Sequence, residues 1–303
     1  MLSRWDRVKN GTSLEAETKA VPGTGKVALF IDEAQEIPGF DRALRSLAAE
    51  GRHDIYMTSS NAQLLSGEIA TLFAGRTATV RVHPLSYDEF LVFHGRSDSD
   101  KSLNLYLRFG GLPFLRNLAL EDETALEYLD GVFDIDVLKD IVLRHGVRNP
   151  AILERIAEFV ADSIGSPTSA CNIANSLKAK GIEVSPQSVL DYLAYLEQSF
   201  VVRRVKLENL QGKRILKGGD KYYFEDLGLR TSLRGFSQRE IGKVVENEVF
   251  LRLELDGEFR QGRKTRGRLR LRPGRTALPR PGDLSHRRGG DTGTRVRRPP
   301  RPR

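Results

Sequence analysis

Along the first third of the chain, short apolar runs alternate with stretches in which apolar residues recur every three or four positions. Lys26–Ile31 (KVALFI) is nearly continuous and rich in β-formers, the pattern of a strand buried on both faces of a parallel sheet. Phe40, Leu44 and Leu47 share one face of a helix over Phe40–Glu50 that stops at Gly51. His53–Thr58 (HDIYMT) reads as a second buried strand. Gln63–Ala74 reads as a helix with Leu64, Leu65, Ile69, Leu72 and Phe73 on its apolar side, and Ala78–Val82 as a third strand. This β-α-β-α-β order predicts an α/β fold with a parallel, helix-covered sheet over residues 1–85. Met1–Gly25 shows neither a 3.6 nor a 2 period and reads as an irregular lead-in.

From Ser86 to about Leu143 the pattern is helical, broken at Gly110–Pro113 (GGLP), a turn whose glycines permit positive φ. Residues 86–148 therefore form a helical lid or connector. Residues 149–236 predict helices at Ala151–Ile164, Ser169–Lys180 and Pro186–Gln198. In the third, Ser185 is the N-cap, Pro186 the first helical residue, and Val189, Tyr192, Leu193 and Leu196 the buried face. Strands at Phe200–Leu207 and Lys221–Phe224 follow, joined by a basic loop. Helices followed by a β-hairpin define a winged-helix (α+β) region. A last helix, Gln238–Leu255, carries Glu246, Asn247 and Glu248 among apolar positions.

Composition changes the picture in one respect. The 303 residues hold 48 Lys+Arg against 40 Asp+Glu, a net charge of +8. Sixteen of those cations and only two acids fall in residues 260–303, so the tail carries +14 and residues 1–259 carry −6. The basic balance of the whole chain is thus no argument for nucleic-acid binding by its body. No apolar run approaches the ~20 residues of a membrane helix, and the N-terminus has no signal-peptide core. A soluble, cytoplasmic protein is expected. The single Cys171 excludes an internal disulfide and a multi-thiolate metal site, and the five histidines have no ligand spacing.

The stretch richest in chemistry is Ala28–Gln35 (ALFIDEAQ). It sets Asp32 and Glu33 at the carboxyl end of a buried strand, where open α/β sheets bind ligands. In a nucleotide hydrolase the first carboxylate holds Mg²⁺ and the second polarises the attacking water; a solvated acidic strand end is the plainer alternative. The next strand ends in Thr58-Ser59-Ser60-Asn61, either polar partners for those carboxylates or an N-cap for the following helix. Gly75-Arg76 precedes the third strand, with Arg76 either a phosphate-directed arginine or an ordinary surface residue.

In sequence order, LFIDEAQEIPGF, IYMTSSNAQLLSGEIATLFAGRTATVRVHPLSYDEFL, YLRFGGLP, KYYFEDLGLRTSLRGF and IGKVVENEVFLRLELDGEF resemble a family of bacterial and archaeal AAA-type ATPases. In that family an ATPase core is joined to a winged-helix region and a C-terminal nuclease-like domain. The resemblance spans about Lys26–Phe259. It implies ATP and Mg²⁺ as cofactors, Asp32 as the Walker B metal ligand, Glu33 as the water-activating residue, Ser60 or Asn61 as sensor, and Arg76 as the arginine after the family's glycine. Glu246 resembles the helix glutamate of the nuclease-like domain, whose start would be 237–259.

Two departures qualify the resemblance. The Gly-rich phosphate loop ending in Gly-Lys-Ser/Thr is absent. Its only echo, Pro22-Gly23-Thr24-Gly25-Lys26, runs straight into the first strand without a following hydroxyl residue or helix. The chain therefore reads as N-terminally truncated and as binding ATP weakly or not at all. After Arg260 the expected strands give way to an Arg/Gly/Pro-rich stretch of the composition of a disordered tail, and also of the kind a GC-rich gene yields out of frame. A frameshift near 260–266 is expected, with apolar strands encoded in the +1 frame. The alternative function is DNA binding without ATPase activity. Arg203, Arg204, Lys206, Lys213, Arg214 and Lys217 of the hairpin would then meet phosphates, since the candidate recognition helix Ser185–Ser199 holds no Lys or Arg.

Overall fold

The computed structural model describes residues 8–22, 25–60, 77–206 and 219–255. It is a mixed α/β molecule, mostly helical, with a small parallel sheet. Helix α1 (Gly11–Lys19) precedes β1 (Val27–Ile31), α2 (Phe40–Ala49) and β2 (His53–Met57). β1 and β2 pair in parallel from Val27 against His53 to Ile31 against Met57. α2 covers one face of this pair with Leu44 and Leu47, both buried completely or nearly so; burial at this depth contributes roughly 1.5–3 kcal/mol per side chain.

Three expectations for this region are corrected. The segment Met1–Gly25 is not irregular throughout. Asn10 caps α1 by accepting from the amide of Ser13, whose hydroxyl accepts in return from the amide of Asn10. This reciprocal cap nucleates a helix with one strong apolar anchor, Leu14, too few for a visible period. The strands are not buried on both faces either. Exposure alternates along β1, and Phe30 and Tyr56, 68% and 56% exposed, stack on each other at 4.9 Å on the outer face.

Ala78–Val82, finally, forms no strand. Arg81 and His83 are drawn instead to the buried carboxylate of Glu225, at 2.7 and 3.4 Å, and the Arg81 guanidinium lies over the Phe200 ring at 4.7 Å. An ion pair to a nearly buried carboxylate, plus a cation–π contact, fastens this stretch to the distant hairpin. The predicted helix Gln63–Ala74 lies outside the described residues.

The connector is helical as expected: α3 (Tyr87–His94), α4 (Asp100–Phe109) and α5 (Asp122–Gly131), the last running through a π-helical stretch, Val132–Leu138, into α6 (Lys139–His145). Next come α7 (Pro150–Asp162), α8 (Ala170–Ala179) and α9 (Pro186–Gln198), then an antiparallel pair, β3 (Val202–Val205) and β4 (Lys221–Phe224). Ser185 caps α9 through the amide of Ser188 at 3.0 Å, with Pro186 opening the helix. A further helix, α10 (Leu227–Arg234), stands where no helix was expected. Asp226 caps it, and Arg230, wholly buried, donates to the carbonyl of Ala161 and to Glu240. The last helix, α11, begins at Ile241 after a 3₁₀ turn at Gln238–Glu240 and runs to Leu255.

Candidate functional site

The two parallel strands end side by side, and the residues that follow them form one polar cluster. Thr58, just past β2, donates its hydroxyl to Asp32 Oδ1 and accepts from the amide of Glu33 at 3.1 Å. Its backbone continues the ladder, accepting from Ala34 N at 3.1 Å and donating to Ile31 O at 2.9 Å. Thr58 therefore fixes both the main chain and the carboxylate at the end of β1.

Glu33 turns sharply out of the strand with φ 47° and ψ 54°, a left-handed conformation that costs a non-glycine residue roughly 1–2 kcal/mol. That turn aims its carboxylate at the end of β2. Oε2 accepts from Ser60 N at 3.2 Å, from Ser60 Oγ at 3.0 Å and from Gln35 Nε2. Asp32 and Glu33 are thus held by separate partners, Thr58 for the first and Ser60 with Gln35 for the second.

A basic residue reaches the cluster from far along the chain. Arg144, near the end of α6 and 16% exposed, donates through Nη2 to Ser60 Oγ at 3.2 Å and pairs with Asp140 at 2.6 Å. Its Nη1 is buried without a partner among the described residues. No sequence signal marks Arg144: its helix carries no motif, and the contact joins residues 84 positions apart.

Of the residues expected at this site, Asp32, Glu33 and Ser60 come together, while Asn61 and Arg76 lie outside the described residues. Thr58, expected only as part of a polar run, makes the direct contact with Asp32. Lys26 stands at the opposite end of β1 from Asp32 and pairs with Asp54 at 3.3 Å. Six residue steps at ~3.3 Å each put about 20 Å between them. Lys26 therefore does not share a site with the carboxylates.

The basic hairpin is engaged internally. Arg203 pairs with Glu225 and with Glu254 at 3.3 Å, and Arg204 with Asp220. Lys206 is exposed, and Lys213, Arg214 and Lys217 lie outside the described residues. Glu246 accepts from Lys221 at 3.0 Å and from the Tyr223 hydroxyl at 2.9 Å. Among the described residues there is no group of three or more His, Cys, Asp or Glu arranged to hold a metal by themselves. Nor is any helix there long and apolar enough to cross a membrane.

Residues 4–91 match a family model described as an AAA domain. Residues 100–240 match a domain of unknown function (DUF8612). An uncharacterized protein of Haemophilus influenzae is 36% identical over 235 residues, covering 75% of this chain and 58% of its own length. The uncharacterized protein MJ1544 of Methanocaldococcus jannaschii is 30% identical over 243 residues, covering 76% and 53%. The chain thus spans a little over half of each relative. Among solved structures, the Walker-type ATPase PABY2304 of Pyrococcus abyssi aligns with 73% of this chain and 65% of its own, at 19% identity and a TM-score of 0.48.

Proposed function

We propose that the cluster at the ends of β1 and β2 is the metal- and water-handling half of a Mg-ATP site of the AAA type, in a chain that binds ATP weakly on its own. The observation that carries this reading is the division of labour between adjacent carboxylates. Among the described residues Asp32 is held by the Thr58 hydroxyl, whereas the Glu33 carboxylate is fixed by donors from Ser60 and Gln35. Hard oxygen donors suit Mg²⁺, which in nucleotide sites takes one or two carboxylates and draws its other ligands from phosphate and water. Asp32 with the Thr58 hydroxyl fits that demand; when bound, the cation supplies charge neutralisation to the phosphates.

Glu33 would orient the attacking water, and Ser60 would hold Glu33. Among the described residues, phosphate cradling by backbone amides and a lysine finds no counterpart beside Asp32, and this is the basis for weak binding. The remaining assignments of the family reading are carried here as proposals: Asn61 or Arg76 toward the γ-phosphate, residues 149–236 as a winged helix, and the Glu246 helix as the start of a nuclease-like domain. So is the out-of-frame tail. DNA binding by the hairpin draws less support, since two of its six cations are committed to acidic neighbours.

Equilibrium binding of a fluorescent ATP analogue tests the main reading. Weak binding that requires Mg²⁺ and is lost in Asp32→Asn is expected. Binding of equal strength with and without Mg²⁺ would place the nucleotide elsewhere.

A further inference from the structure

We propose that Arg144 is a positioning residue for the carboxylate cluster, acting on Glu33 through the hydroxyl of Ser60; the role rests on the hydrolytic reading above, the contact itself does not. A serine hydroxyl has one proton to give and two lone pairs to receive with. Around Ser60 Oγ the donors are Arg144 Nη2 at 3.2 Å and Gln35 Nε2 at 3.4 Å, and the acceptor is Glu33 Oε2 at 3.0 Å. A guanidinium has only donors, so with Arg144 and Gln35 in place both lone pairs are taken and the hydroxyl proton is directed to Glu33. Removing Arg144 frees a lone pair and lets the hydroxyl rotate away.

Arg144 is held for this task from two sides. Asp140, one turn earlier on α6, fixes the guanidinium at 2.6 Å. The neighbouring His145 stacks on Tyr195 of α9, with ring centroids 3.9 Å apart and planes 9° from parallel, which braces α6 against the helices that follow. A surface arginine at a helix end would be satisfied by its i,i+4 partner and solvent. This one is largely buried and spans to the other end of the polar cluster. The helical connector thereby sets the orientation of the residue that would hold the attacking water, so a shift of α6 would be felt at Glu33 without any residue of the connector touching substrate.

Amide hydrogen exchange followed by NMR on the full chain tests this independently of nucleotide. The Ser60 amide donates to Glu33 and reports whether the pair is held. In Arg144→Ala, Ser60 exchange should rise about tenfold, while Leu29 and Ile55 in the strand pair stay within about twofold. Arg144→Lys should restore most of the protection. Ser60→Ala should free the residue-60 amide to the same extent, with no addition from the second substitution. If Arg144→Ala fails to fold, Arg144→Met keeps the apolar stem and gives the same reading. Unchanged Ser60 exchange, or equal acceleration of Leu29 and Ile55, would overturn the proposal. Should Ser60 respond while Mg-dependent ATP binding is absent, the Arg144 coupling stands and the hydrolytic reading falls.

Discussion

The carboxamide of Asn247, wholly buried on α11, donates to the carbonyl of Phe224 and accepts from its amide, both at 2.8 Å. It satisfies the backbone of β4 much as a neighbouring strand would. Asn247→Ala leaves a buried N–H and C=O without partners and should cost about 2–4 kcal/mol, measurable by denaturant unfolding. Beside it, Glu248 hydrogen-bonds the Tyr106 hydroxyl at 3.2 Å, and burial pushes its carboxyl up to about 7 from an ordinary 4.5. Burial likewise raises Asp226 to about 6, against the pull of backbone donors from Gly111, Leu229 and Gly228.

For both acids the folded chain holds protons that the unfolded chain has released, so stability falls as pH rises from about 4.5 to 7. For Glu248 the loss is on the order of 3 kcal/mol. Thermal unfolding should therefore shift to lower temperature across that interval, and Glu248→Gln should remove a large part of the slope. At this scale the sequence was partly legible. Asp32 and Glu33 announce themselves through the strand that precedes them. Asn247 and Arg144 do not, because their partners lie 23 and 84 residues away and neither sits in a local pattern.

Among the elements, those with strong periodicity or capping chemistry match the reading closely: β1, β2, α2 and α9 fall within a residue or two of expectation. The failures share a cause, in that tertiary contacts decided them. Helix α10 is marked by Asp226 as its cap, but its buried face includes Arg230 and Thr231, which no apolar template scores. The stretch Ala78–Val82 has strand composition and is claimed by Glu225 instead.

The FGGLP and FEDLG motifs meet directly: Asp226 accepts from the amide of Gly111 at 2.7 Å. A Cβ on Gly111 would come within 2.1 Å of the carbonyl oxygen of Leu85, and one on Gly228 within 2.0 Å of that of Phe109. Backbone oxygens at that range cannot yield without displacing the main chain that carries them. Gly111→Ala and Gly228→Ala should each lower the melting temperature far more than Gly242→Ala, which meets nothing within 4 Å.

For the molecule as a whole, the charge ledger separates what the body does from what the tail adds. Residues 1–259 are mildly acidic, and two of the hairpin arginines are paired, so nucleic-acid affinity should reside chiefly in the +14 of residues 260–303. A chain ending at residue 259 should lose more than about half of the salt slope of DNA binding seen with the full chain, by fluorescence anisotropy at several salt concentrations. Retention of the full slope would return the hairpin to the fore.

The two family models cover residues 4–91 and 100–240. Backbone NMR of the full chain titrated with ATP, in the presence and absence of Mg²⁺, tests the nucleotide reading most directly. Mg²⁺-dependent shifts centred on the amides of Glu33, Ala34, Thr58 and Ser60, abolished in Asp32→Asn, are predicted. Shifts that spare these amides, or that persist undiminished in Asp32→Asn, would contradict it.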